Sequence, residues 1–183
     1  MSVIFVVTVQ SLGLLQFWYL FINRKSNSLH CFDREFRMIL YTIGFVQKRA
    51  EVFFELLSRH GVQRLIDIRL NPDGQLAGFS KQSDLPYFLS KLVGGCQYVH
   101  ILDLAPTKEL LSDYRADSNW SRYVERFEIL MDERKIPSVL DQAEFERLAS
   151  CLLCSEPAPE KCHRRLVAER IALHWPNVDI IHL

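Results

Sequence analysis

The run Cys151-Leu152-Leu153-Cys154-Ser155-Glu156-Pro157-Ala158-Pro159-Glu160-Lys161-Cys162-His163-Arg164 gathers more reactive side-chain types than any other stretch of the chain. Thiols, a carboxylate, an imidazole and a guanidinium follow one another around a turn stiffened by Pro157 and Pro159. Thiols become nucleophiles or metal ligands once deprotonated. Cys162, His163 and Arg164 fall in the first turn of an expected helix, whose N-terminus carries partial positive charge and unpaired N–H groups. That setting favours a bound anion and a thiolate, which makes Cys162 a candidate nucleophile with Arg164 reinforcing both effects.

Three kinds of chemistry fit these residues. A cysteine nucleophile assisted by His163 and Glu156 suits acyl, phosphoryl or sulfur transfer, although neighbours on a helix point about 100° apart, so adjacency does not bring His163 onto Cys162. A metal centre would draw on Cys154, Cys162, His163 and Glu156, yet the spacing from Cys154 to Cys162-His163 matches no standard zinc motif, and no metal is assigned. The third arrangement is structural: Glu156 and Arg164 pair across the turn and the thiols fill space. Cys151 and Cys154 also form a Cys-x-x-Cys pattern, but residues three apart on a strand face opposite sides. Cys151 therefore belongs to the core, and Cys154, at the strand end, is the second reactive candidate.

Such a turn needs a strand before it and a helix after it, and the chain supplies both repeatedly. Ile39 to Gly44 is a nearly continuous apolar run closed by glycine, as expected of a strand covered on both faces. Gln47 to His60 has helical apolar spacing with Gly61 just past its end, and Val62 to Ile68 returns to strand, completing a βαβ unit. Asp67, Arg69, Asn71, Pro72, Asp73 and Gly74 crowd the carboxyl end of that strand, the edge at which parallel α/β sheets bind ligands. A hydrogen-bonded turn closed by an Asp67–Arg69 pair accounts for the same residues without a ligand. Ser83 is placed to cap a helix containing Pro86, and Gly94-Gly95 breaks it. Gln97 to Leu102 is a third strand, in which His100 reads as a satisfied residue.

Trp120, Tyr123, Val124, Phe127, Leu130 and Met131 recur at helical spacing, an apolar stripe for packing on a sheet. Asp141 to Glu144 has the form of a capping box. Ser150 to Cys154 is the fourth strand, Cys162 to Trp175 the helix after the reactive turn, and Asp179 to Leu183 the last strand. Strands alternating with helices predict a three-layer α/β fold: a mostly parallel sheet of about five strands with helices on both faces.

With 183 residues, 49% of them hydrophobic and 24% charged, residues 38 to 183 make one domain with a core of ordinary size. Acidic and basic residues balance at 22 each, so net charge gives no support for a nucleic-acid partner. Five cysteines, an odd number, argue for reduced thiols and a cytoplasmic setting rather than a disulfide framework. Residues 1 to 37 stand apart. Val3 to Ile22 carries no charge and matches the roughly twenty apolar residues of a membrane-crossing helix. Arg24 and Lys25 would then hold the remainder in the cytoplasm. Equally, Gln10, Ser11, Gly13 and Gln16 dilute the run and Met38 directly precedes the first strand, as if translation started there. Membrane association depends on the first of these alternatives.

Several segments together resemble a known family. Tyr41-Thr42-Ile43-Gly44, Leu65-Ile66-Asp67-Ile68-Arg69 with Pro72, Leu104-Ala105-Pro106-Thr107, Trp120-Ser121-Arg122-Tyr123, and Leu153-Cys154-Ser155-Glu156 through Cys162-His163-Arg164 are similar to the domain of unknown function 488 family, in order, over residues 38 to 183. The resemblance implies a small α/β protein without a settled activity. Its characteristic positions carry over as Gly44, Asp67, Arg69, Cys154, Glu156, Cys162, His163 and Arg164. Where many members have a glycine-rich segment after the third strand, this chain has Leu104-Ala105-Pro106-Thr107, which resembles one branch.

Both lines of reading place Gly44, Asp67, Arg69, Asp103 and Cys154 on the carboxyl rim of one sheet, facing Cys162 to Arg164. The expectation is a pocket for a small anionic ligand, such as a phosphate-bearing one, bound through Gly44, Arg69, His163 and Arg164. Cys162 or Cys154 would be the reactive group, and Glu156 or Asp67 the acid or base. The alternative is a non-catalytic module for a nucleotide, a nucleic acid or a protein, in which the same residues only hold the turn. The residues name neither a cofactor nor an oligomeric state.

Overall fold

The computed structural model describes residues 37–183. They form one compact unit around a five-stranded sheet in which every pairing is parallel. The strands are β1 (Met38–Gly44), β2 (Arg64–Asp67), β3 (Gln97–His100), β4 (Ser150–Cys154) and β5 (Val178–His182), in the spatial order β3-β2-β4-β1-β5. Six helices accompany them: α1 (Ala50–Arg59), α2 (Leu85–Leu92), α3 (Lys108–Asp117), α4 (Trp120–Glu133), α5 (Gln142–Arg147) and α6 (His163–His174).

The sheet order explains where the helices lie. From β1 through β3 the chain steps toward one edge, and from β3 through β5 it steps back. Right-handed crossovers then require helices of the two halves to cover opposite faces. Two separate cores result. Phe53, Phe54 and Leu57 of α1 and Leu85 and Leu89 of α2 pack on Tyr41, Ile43, Leu65, Cys151 and Leu153. Leu110, Tyr123, Phe127, Phe145 and Val167, from α3 to α6, pack on Leu40, Ile66 and Leu152. Alternate strand residues thus enter alternate cores, and β2 and β4 are buried along their whole length. The unbroken apolar spelling of these strands has this cause.

Local signals mostly act as the sequence predicts. Gly61 adopts φ +62 after α1, in the left-handed region a helix-ending glycine supplies. The Asp141 side chain accepts from the Glu144 N–H and starts α5. Ser83 does not cap α2: the N-cap is Asp84, without a side-chain cap bond, while the Ser83 N–H donates to Asp73. The long helical region after Thr107 divides at Ser118, whose φ of +55 ends α3 before Asn119 caps α4. Among the described residues no helix is long and apolar enough to cross a membrane, and the alternatives for Val3 to Ile22 lie outside those residues.

Candidate functional site

Parallel strands end together, so their last residues share a rim. Gly44 of β1 stands beside Cys154 of β4, and Asp67 of β2 beside His100 of β3. A cavity of about 510 Å³ opens at this rim. Arg69, Cys154, Glu156, Cys162 and His163 line it, whereas Gly44, Asp67, Asp103 and Arg164 do not.

The β2 end is a closed network. Asp67, fully buried, accepts from the Arg69 N–H at 3.0 Å and from Arg69 Nε and an Nη at 2.8 and 2.5 Å, with the Tyr98 hydroxyl adding a bond at 2.8 Å. The remaining Arg69 donors reach Ser80 Oγ and the Ser80 carbonyl. Bidentate pairing of this kind fixes both partners. Burial and the adjacent Asp67 carboxylate push the Tyr98 hydroxyl well up, so it remains a donor. Asp67 therefore holds Arg69 at the cavity wall and is itself sealed from any ligand, the closed turn anticipated from residue types. His100 is likewise satisfied, bonding the Arg69 carbonyl at 2.9 Å.

The β4–α6 turn is built differently. Cys162 is the N-cap residue of α6, so the helix begins at His163. The Cys154 thiol lies 3.5 Å from His163 Nδ1, while His163 Nε2 lies 2.9 Å from the Ile68 carbonyl. A carbonyl can only accept, so Nε2 carries the hydrogen and Nδ1 faces the thiol with its lone pair. A thiol, an imidazole and a main-chain carbonyl in this sequence of contacts form a geometry that thiol chemistry can use. Phe127 of α4 packs 5.9 Å from the imidazole ring, which helps hold its orientation.

Arg164 lies beneath, with no exposed surface. It donates to the Glu156 and Pro157 carbonyls at 2.5 and 3.3 Å and to Cys162 Sγ at 3.3 Å; its buried Nε has no partner. The pairing of Arg164 with the Glu156 carboxylate that the structural alternative invoked does not occur; the guanidinium reaches the Glu156 main chain instead. A buried guanidinium needs a nearby anion, and the acidic groups against this one are thiols.

The two thiols are shifted in opposite directions. Burial pushes Cys154 up, but hydrogen bonds from Cys162 and from the Glu156 and Ser155 backbone, with the Arg164 charge, outweigh it and hold Cys154 below the ordinary thiol range. Cys162 moves the other way, raised by its hydrogen bond to Cys154 and by burial. The helix-end position that pointed to Cys162 does not lower that thiol, whereas Cys154, the second candidate, is held below the ordinary range. Cys151 stays in the core, its thiol raised by burial. Cys154, Cys162 and His163 each offer a ligating atom, all within 4.8 Å of one another, so among the described residues these three could hold a metal ion.

Gly44 serves the turn through its lack of a side chain. A Cβ there would sit 1.7 Å from the Glu156 carbonyl oxygen, so glycine lets the turn cross the β1 end and places that carbonyl over Arg164. Sequence reading missed the opposite wall. Trp120 and Tyr114 line the cavity, Trp120 stacking on Tyr123 at 5.1 Å and Tyr123 on Phe127 at 5.9 Å. The helical stripe read as packing is core at Phe127, shared between core and cavity at Tyr123, and cavity wall at Trp120. Arg115, Lys161 and Pro106 also reach the lining.

A comparison with protein-family models matches residues 49–171 to the family described as Domain of unknown function DUF488. No curated protein and no solved structure matches the chain. The matched segment contains every residue of the cavity floor but begins after Gly44.

Proposed function

The chain belongs to the Domain of unknown function DUF488 family, and from that premise we propose that its rim cavity is the active site of a thiol-dependent enzyme acting on a small anionic ligand, phosphate-bearing compounds included. Cys154 is the nucleophile, and His163 takes its proton through Nδ1. The thiolate forms a bond to the electrophilic centre, the bond to the leaving group breaks, and the imidazolium returns the proton to that group. Glu156, exposed on the cavity lining, is a second acid or base within the same space. Lys161 on the wall and the buried Arg164 charge favour an anion there, whereas the Arg69 charge is already paired with Asp67.

One observation carries this reading: Cys154 Sγ and His163 Nδ1 lie 3.5 Å apart on a cavity wall, over a buried guanidinium with no carboxylate among its hydrogen-bond partners. Four cysteines of the described residues are free thiols, which suits a reducing compartment such as the cytoplasm. Iodoacetamide labelling of the full chain at neutral pH, resolved by peptide mapping, tests the proposal. Cys154 labels faster than an ordinary exposed thiol, and His163→Asn slows it by about 10²-fold, the lower range of a general-base contribution. Labelling of Cys154 no faster than that of an exposed thiol removes the enzyme reading.

A binding module is the second reading, favoured by the main-chain bonds of His163 and Arg164, which would serve a purely structural turn equally well. Saturable phosphate binding by a chain whose Cys154 labels slowly selects it.

A further inference from the structure

The cavity floor has a feature that neither covalent chemistry nor anion binding requires: two thiols and an imidazole nitrogen within 4.8 Å of one another, all three residues buried. Tetrahedral zinc with bonds of about 2.3 Å to sulfur and 2.0–2.1 Å to nitrogen separates sulfur from nitrogen by about 3.6 Å and two sulfurs by about 3.8 Å. The Cys154 Sγ to His163 Nδ1 distance, 3.5 Å, already has the first of these values. The longest separation in the set has to close by about 1 Å, within reach of a rotation about Cys162 χ1.

The surroundings fit a metal as well. A ligating histidine generally donates its other ring N–H to a carbonyl or carboxylate, which fixes the tautomer, and His163 Nε2 meets the Ile68 carbonyl at 2.9 Å. The Arg164 guanidinium, 3.3 Å from Cys162 Sγ, supplies the N–H donor that a bound thiolate accepts. All three ligating residues line the cavity, so a fourth position faces open space, as in sites that keep one place for water or substrate. Zn²⁺, two thiolates and a neutral imidazole carry no net charge together. The Arg164 charge then favours an anion in that fourth place.

We propose that Cys154, Cys162 and His163 form a binding site for one thiophilic divalent cation, Zn²⁺ above all, with its fourth position open to the rim cavity. The soft sulfur donors select zinc over magnesium or calcium. The site stands whether or not Cys154 is a nucleophile, and a bound metal excludes covalent chemistry at that thiol while it remains.

Cobalt reports thiolate ligation directly. The full chain, stripped with chelator and kept reduced, is titrated with Co²⁺ alone. The expected result is a sulfur-to-cobalt charge-transfer absorption saturating at one Co²⁺ per chain, abolished by Zn²⁺ and lost in Cys154→Ser and Cys162→Ser. Absence of that absorption in the wild-type chain overturns the site without recourse to any variant. Should the serine variants misfold, alkylation of the wild-type chain decides the location: one equivalent of Zn²⁺ protects Cys154 and Cys162, whereas protection of Cys31 or Cys96 instead overturns the assignment. The two proposals fail separately. Fast Cys154 labelling without cobalt binding removes only the metal site, and cobalt binding with a sluggish metal-free thiol removes only the enzyme.

Discussion

Two buried arginines stand at the same sheet edge and are treated in opposite ways. Arg69, at the β2 end, meets a bidentate carboxylate that is itself bound by Tyr98, and Ser80 takes its remaining donors. Arg164, after the β4 end, meets two carbonyls and a thiol, with its Nε unpaired. The first charge is cancelled within its own network and contributes rigidity. The second has no carboxylate among its hydrogen-bond partners, and its charge helps to lower Cys154. A buried cation is thus paired with a carboxylate in one place and left beside thiols in the other, and the second setting is the one the proposed chemistry draws on.

The sharpest way to break this contrast is Asp67→Ala. Removing one partner of a buried pair costs about 3–5 kcal/mol, read as a lowered urea midpoint, while Cys154 in the folded protein keeps its labelling rate. A loss below about 1 kcal/mol, at the level of an exposed pair, would show that the β2 network is not what holds that edge. Tyr98→Phe removes one hydrogen bond to the same carboxylate and costs about 1.5–3 kcal/mol, again with labelling unchanged. Gly44→Ala acts on the other side. Its Cβ collides with the Glu156 carbonyl, and overpacking of this kind costs about 1–3 kcal/mol. Here the labelling rate of Cys154 changes too, since the displaced carbonyl is the one that orients Arg164. An altered rate in Asp67→Ala but not in Gly44→Ala would reverse the assignment of the two regions.

How far the sequence reached depends on the range of each interaction. The strand ending at Cys154, the glycine after α1 and the Asp141 cap are set by residues within a few positions, and each was legible as residue type and spacing. So was the closed Asp67–Arg69 turn, which spans two residues. The Ser83 cap was misplaced by one residue, since the helix starts at Leu85 and Asp84 takes the N-cap position, while the Ser83 N–H bonds Asp73, ten positions earlier. At the β4–α6 turn the side chains were identified, but not that the two thiols shift in opposite directions, Cys154 down and Cys162 up, since that depends on groups the turn brings together.

From the amino-acid order alone came an alternating parallel α/β domain and a turn rich in thiol, imidazole and guanidinium groups at the carboxyl edge of its sheet, because periodicity and turn chemistry act locally. The partnership of Cys154 with His163 was decided in three dimensions. It depends on the Ile68 carbonyl, 95 residues before the imidazole that it orients, and on a glycine in β1 that lets the turn cross beneath it. The aromatic wall at Trp120 has the same origin, since one helical stripe serves core and cavity according to where the sheet beneath it ends. Which atoms meet across such separations follows from strand order and register, and these are set by the packing of the whole domain.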